Sequence, residues 1–265
     1  MALKISQLTP VAVNTLTGAE PVELGIAGDK NAPNGAFLPQ GHIVGLKMVW
    51  VSGTAITVTS GAAYIQSLGR TVRADAAIAK AGLALTASTW YHVYLYLNAG
   101  VPDIEIVTTA PGAPYNGTAR TKTGDTSRRY IGSVRVNSSA QLHKFTHNAQ
   151  TGVIKYLVDL NNPDLKLVTS GTSVGADATV SCSSAVPVIA NTLSGFAENN
   201  DTGSGIVYVS NADVGSPANG NILEFIRASR TLLGDFMLTS AQTLTYMTSS
   251  AASFSLYATG YTYER

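Results

Sequence analysis

Charge is what this chain has least of. Seventeen Lys/Arg and sixteen Asp/Glu in 265 residues make it 12% charged, about half of the ~25% usual in soluble domains. A lone molecule so clad would have little colloidal protection, so the composition points to a homo-oligomer held within a larger particle. Cysteine is down to one, Cys182, which excludes an intramolecular disulfide framework and a cysteine zinc cage. In a strand pattern that residue reads as a small buried hydrophobe. No apolar run approaches the ~18 residues of a membrane-crossing helix. The first residues lack both the basic start and the apolar stretch of a signal peptide, so the expectation is a chain made in the cytoplasm and not inserted in a membrane. Basic residues are too sparse for a nucleic-acid partner. Heptads and fixed repeats of 20–50 residues are also missing, which excludes a coiled-coil shaft, a propeller and a solenoid. The sequence contains no GxSxG elbow, Walker A loop or GxGxxG fingerprint, and the expected reading is not an enzyme, with no cofactor.

What is present is β texture behind an extended arm. Met1 to Gly25 carries Leu3, Ile5, Leu8, Val11, Leu16, Val22 and Leu24, broken by Pro10 and Pro21. The prolines forbid a continuous helix, and the piece is too short to close a core of its own. It is expected to dock elsewhere. Residues 25–40 read as a Gly/Pro linker. From residue 43 short apolar or alternating runs recur every eight to twelve residues, the spacing of a sandwich or barrel. TWYHVYLYL (89–97) and DIEIVTT (103–109) are expected to form a hairpin around residues 98–102, and RYIGSVRVN (129–137) a second one with QLHKFTHN (141–148). Ala74 to Ala87 is Ala-rich enough for a short helical piece, although Gly82 opposes it, and Pro163 suits the first position of a helical turn. Beyond residue 156 about eight strand candidates follow, the number expected of a jelly roll. Through Lys155 the chain has 13 Lys/Arg against 7 Asp/Glu, and after it 4 against 9. The expected organisation is therefore an arm and linker over 1–40, a β-rich body that carries trimerisation over 41–155, and a C-terminal β-sandwich tip over 156–265. The fold class is all-β, with two antiparallel sandwiches, the second jelly-roll-like.

Few residues suggest chemistry. Asp103 and Glu105 share a strand face, as a solvent-facing pair or a two-carboxylate site. Glu198, Asp201 and Asp213 flank Asn/Gly-rich loops, where such side chains either cap turns or bind Ca²⁺. His143 and His147 lie four apart, about 13 Å along a strand and too far for one metal ion. Arg120, Lys122, Arg128, Arg129 and Arg135 form the densest cationic cluster. It is read as intersubunit ion pairs, with Asp125 or Asp103, or as a grip for phosphate or sugar acids. Tyr246, Phe254, Tyr257, Tyr261 and Tyr263 are aromatic enough to stack on sugars or to fill a core or subunit interface. Tyr257, Tyr261 and Tyr263 share a face if no bulge intervenes at Gly260.

Two segments resemble bacteriophage tail fibres and tailspikes. One is the arm, where Ile5, Ser6, Leu8, Leu16, Thr17, Gly18, Glu20, Val22 and Leu24 match the family's attachment pattern. The other is Thr89 to Val136, with TWYHVYLYL, the Ala-Pro…Tyr-x-Gly-Thr-Ala-Arg loop and GDTSRRYIGS, preceded by ITVTSGAAYI. The resemblance implies a trimeric virion appendage built in the bacterial host. Ile5, Leu8, Leu16, Val22 and Leu24 would attach it to tail or neck proteins, and the C-terminal part would meet a host-surface glycan. It departs from the family in having neither a repetitive shaft nor a tailspike β-helix. A collar or adaptor protein joining other virion proteins is the second reading, and a polysaccharide depolymerase a distant third.

Overall fold

The computed structural model describes residues 39–159, 162–239, 242–249 and 252–265, together with the pairs 21–22 and 32–33. Pro21–Val22 and Ala32–Pro33 form a two-residue antiparallel ladder. The remaining attachment positions, Ile5, Leu8, Leu16 and Leu24, and the side chain of Val22, lie outside the described residues. Everything else described is antiparallel strand, loop and three short 3₁₀ turns, so the chain is all-β. Among the described residues no helix is long and apolar enough to cross a membrane.

The N-terminal sheets are small. Ile43–Gly45, Gly61–Ile65 and Arg70–Ala74 make one, and Met48–Ser52, Ala55–Val58 and Ile78–Lys80 another. The apolar run 43–51 is thus cut in two, at Leu46, which takes a left-handed φ of 53°. Ile78–Lys80 is strand where the alanines suggested a helix. A larger sheet runs Val101–Val107, Trp90–Asn98, Asp125–Arg135, Thr121–Lys122. Its first two strands are the expected hairpin, with Asn98 opposite Val101. Ala99 and Gly100 turn it with φ of 49° and 86°, the paired positive values that a two-residue hairpin turn requires. The second expected hairpin forms only at its turn, where Asn137 N–H donates to Gln141 O and His143 N–H to Arg135 O. After Asp125–Arg135 only Val136 and Leu142 bridge, and Phe145–Asn148 pairs with Val153–Tyr156 instead.

That hairpin belongs to the C-terminal sheet, because Val153–Tyr156 also pairs with Phe254–Tyr263. The boundary expected near residue 155 therefore falls inside a strand of this sheet. Eight strands from Lys166 onward form the sandwich. Numbered one to eight in chain order, one sheet reads 1-8-3-6 (Lys166–Gly171, Phe254–Tyr263, Ala190–Asn199, Arg230–Met237). The other reads 2-7-4-5 (Ala178–Ser181, Thr243–Thr248, Ile206–Ser210, Glu224–Arg227). This is jelly-roll order. Its interior is apolar, with Cys182, Val207, Leu244, Leu193, Phe236 and Leu256 all buried, and Tyr246 of one sheet meets Phe254 of the other at 4.9 Å between ring centres. Pro163 opens a 3₁₀ turn over Pro163–Leu165, capped by the Asn162 side chain accepting from Asp164 N–H, as its position suggested.

Two bulges set the geometry of the junction between the halves. In Asp125–Arg135 the register against Trp90–Asn98 slips between Tyr130 and Gly132, leaving Ile131 outside the ladder. In Phe254–Tyr263 it slips between the residues opposite Ser194 and Gly195, so Thr259 is the extra residue. The second slip changes the face of everything after it. Tyr257 lies on the outer face beside Phe196, while Tyr261 turns to the side of its pairing neighbour Leu193.

Candidate functional site

The three tyrosines expected to offer ring faces to a glycan are buried, which overturns the stacking role for them; Tyr261 and Tyr263 belong to the core, and Tyr257 is covered on the outer face. Tyr261 and Tyr263 are the clasp between the two halves. Tyr261 Oη donates to Ser133 O at 2.7 Å and Tyr263 Oη to Ile131 O at 2.8 Å. The second acceptor is the carbonyl that the bulge frees from its ladder, so the distortion and the tyrosine explain each other. Around them Tyr261 packs edge-on to Trp90 at 5.7 Å, and Tyr263 meets Tyr130 at 5.8 Å. Tyr257 lies under Lys166, whose ammonium sits 5.0 Å from the ring centre.

The same junction takes up the histidines. His147 Nδ1 accepts from Met48 N–H at 2.9 Å, and its Nε2 lies 3.1 Å from Tyr263 Oη. Because Tyr263 spends its proton on Ile131 O, His147 must be neutral with its hydrogen on Nε2. Burial, reinforced by Arg265 and Lys47, pushes its pKa down to about 3. His92 Nδ1 is 2.7 Å from Ser133 Oγ, and burial lowers it to about 4. His143 Nε2 lies 3.8 Å from Asp164, and burial, the largest cause, keeps its pKa below the ordinary value. Three neighbouring donors reach consecutive carbonyls near the junction: Trp90 Nε1 to Ser183 O, Arg135 Nε to Ser184 O and Tyr156 Oη to Ala185 O.

Gly132 makes room for this contact, since a methyl group there would overlap Met48 Cε and Tyr263 Oη. Gly132→Ala is expected to cost about 2–3 kcal/mol, as overpacked cores do, measured by urea unfolding. A cost under 0.5 kcal/mol would show that the clasp is not tight.

The cationic cluster makes ion pairs and hydrogen bonds within the chain. Lys122 Nζ and Arg128 Nε both bind Glu105 Oε2, at 3.0 and 3.1 Å, with Asp125 at 3.7 and 3.8 Å. The Arg128 guanidinium also covers the Tyr96 ring at 4.1 Å. Asp103 pairs with Lys80, not with the cluster. Burial pushes the Asp103 carboxyl up, but Lys80, the Ile104 N–H and Tyr96 outweigh it and hold it below the ordinary range. Arg120 donates to Gly112 O. Arg129 is fully buried and donates to Arg120 O and Gly41 O. Asp103 and Glu105 are thus each held by cations and do not form a joint acid–base pair.

The acidic loops resolve into turn caps. Asp201 accepts from Gly203 and Gly205 N–H, and Asn211 Oδ1 from Asp213 and Val214 N–H, the local bonding that Asp and Asn favour in turns. Among the described residues no group of three His, Cys, Asp or Glu is placed to hold a metal ion. A cleft of about 680 Å³ is lined by Val44, Thr118, Gln150, Tyr263, Glu264 and Arg265, among others. Glu264 is its one carboxylate side chain.

A surface feature that sequence reading missed lies on the outer face of the second jelly-roll sheet. Phe225 pairs with Tyr208, and Tyr208 with Met247, across three adjacent strands. Phe225 is 55% exposed, Tyr208 and Met247 are half-buried, and the Arg227 guanidinium lies 5.9 Å from the Phe225 ring centre. The row offers a flat apolar strip edged by polar groups, the type of surface on which sugar C–H faces pack. Only strand pairing over residues far apart in sequence assembles it. No known protein family, curated protein or solved structure matches the chain.

Proposed function

We propose that this chain is a non-enzymatic structural protein of a bacteriophage virion, a short tail-fibre-like appendage. Its N-terminal arm attaches to tail or neck proteins, copies of the chain assemble with one another, and the C-terminal sandwich meets a host-surface glycan. The sequence resemblance of the arm and of Thr89–Val136 supports the virion setting. The observation that carries the host-contact role is the Phe225–Tyr208–Met247 row on the outer face of the jelly roll, held rigidly to the body by the tyrosine clasp. Weak stacking at such a row gains strength when several copies engage together.

Purified chain is expected to compete with the phage that encodes it for adsorption to host cells. The Phe225→Ala variant should need about tenfold more protein for the same inhibition, the loss expected of one aromatic contact near 1.4 kcal/mol. Wild-type chain that fails to compete, together with a virion reconstruction showing the sandwich clamped against another virion protein, would establish the adaptor reading instead.

A further inference from the structure

Sheet edges are where β proteins join or aggregate, and most of them are blunted in this molecule. Val101–Val107 carries Pro102 and two ion-paired carboxylates. Glu224–Arg227 has four residues, charged at both ends. Arg70–Ala74 holds two arginines. Met48–Ser52 lies against the Phe145–Asn148 hairpin, its first N–H bonded to His147. Arg230–Met237 is the exception. It pairs with Ala190–Asn199 on one side only, and between its charges, Arg230 and Asp235, the stretch Thr231–Gly234 has neither charge nor Pro. Among the described residues three large hydrophobic side chains are more than 60% exposed: Leu233 at 73%, Val101 at 65% and Met237 at 64%. Two of the three are on this strand, at positions four apart that share its outer face.

We infer that Arg230–Met237 is a docking edge for a second copy of this chain, which pairs the same strand antiparallel across a two-fold axis. An antiparallel strand pair is self-complementary, because one strand supplies both halves of the ladder. Charge agrees with that direction. Arg230 opens the strand and Asp235, which is 3.7 Å from Lys155 and accepts from the Ser194 hydroxyl, lies near its end, so antiparallel copies bring each Arg230 towards the partner's Asp235. With Leu233 opposite the partner's Leu233, Thr231 faces the partner's Asp235, and the two exposed leucines cover each other at the centre. The inference does not depend on the glycan role, since the Phe225 row lies on the other sheet.

The test is the mass of the full-length chain by sedimentation equilibrium, wild type against L233K/M237K. Both side chains are exposed, so the variant should keep the wild-type melting temperature. The expected result is that the variant has half the wild-type mass, whether that is dimer to monomer or a larger even assembly to its half. In addition, amides of 230–237 should lose hydrogen-exchange protection in the variant. Val101→Lys, on the other exposed strand, should leave the mass unchanged. A wild type that is monomeric at 100 μM (about a hundredfold above a micromolar Kd), an unchanged or otherwise fractioned mass in L233K/M237K, or an equal effect of Val101→Lys overturns the inference.

Discussion

Acidification from pH 6 to pH 4 is expected to remove on the order of 5 kcal/mol of folding stability, well before most carboxylates titrate. His92 and His147 are buried, and their pKa values are pushed down to about 4 and about 3. In the unfolded chain both return to about 6.5. Between these values the unfolded state binds two protons that the folded state refuses, so stability rises with pH through the window and falls as acid is added. Each such proton is worth about 1.36 kcal/mol per pH unit. The geometry gives the reason for the refusal. Met48 N–H already points at His147 Nδ1, so a proton there would set two donors face to face. Urea unfolding at half-unit pH intervals reads the slope directly. His147→Asn should lower overall stability yet halve the slope, to about 1.4 kcal/mol per unit. A slope near zero between pH 6 and 4.5, or one that His147→Asn leaves intact, would refute the tautomer assigned to this ring.

Tyr261→Ala is expected to cost about 4 kcal/mol, the range of a large aromatic truncated inside a core. The ring is fully buried between Trp90, Tyr156 and Tyr263, and its hydroxyl satisfies Ser133 O across the junction. Tyr261→Phe should cost less, about 1–2 kcal/mol, for one lost hydrogen bond and one carbonyl left without a donor. The ratio of the two separates packing from hydrogen bonding. If both variants unfold at wild-type urea concentrations, the clasp does not hold the halves together.

The sequence made the class of fold legible because its signals were local. The aromatic and β-branched residues of Trp90–Asn98, the alternation in Val101–Val107, the turn at Ala99-Gly100 and the proline at the start of Pro163–Leu165 each act over a few residues. What escaped depends on distant partners. Phe145–Asn148 has the alternation to pair backwards with Asp125–Arg135, but Val153–Tyr156 and Phe254–Tyr263 supply a wider sheet. Bulges were the other obstacle. One extra residue at Thr259 separates Tyr257 from Tyr261 and Tyr263, and the neighbouring Gly260 was its single local hint. The intrachain pairs of Lys122 and Arg128 were hidden too, since only the strand pairing brings Glu105 to them. The Phe225–Tyr208–Met247 row needed a sheet order that periodicity cannot give.

The central position of Phe254–Tyr263 bears on how the molecule comes together. This one strand pairs with Val153–Tyr156, Lys166–Gly171 and Ala190–Asn199, all well upstream of it. Until it arrives, those three have no common neighbour, and the two clasping tyrosines are missing from the junction. Contacts between segments so far apart are slow to form because long loops must close first. A nascent chain that has emerged only as far as residue 250 therefore shows unpaired ladders to its surroundings, a state prone to association with the wrong neighbour. Phe254–Tyr263 is thus a keystone that is made only after all three of its partners.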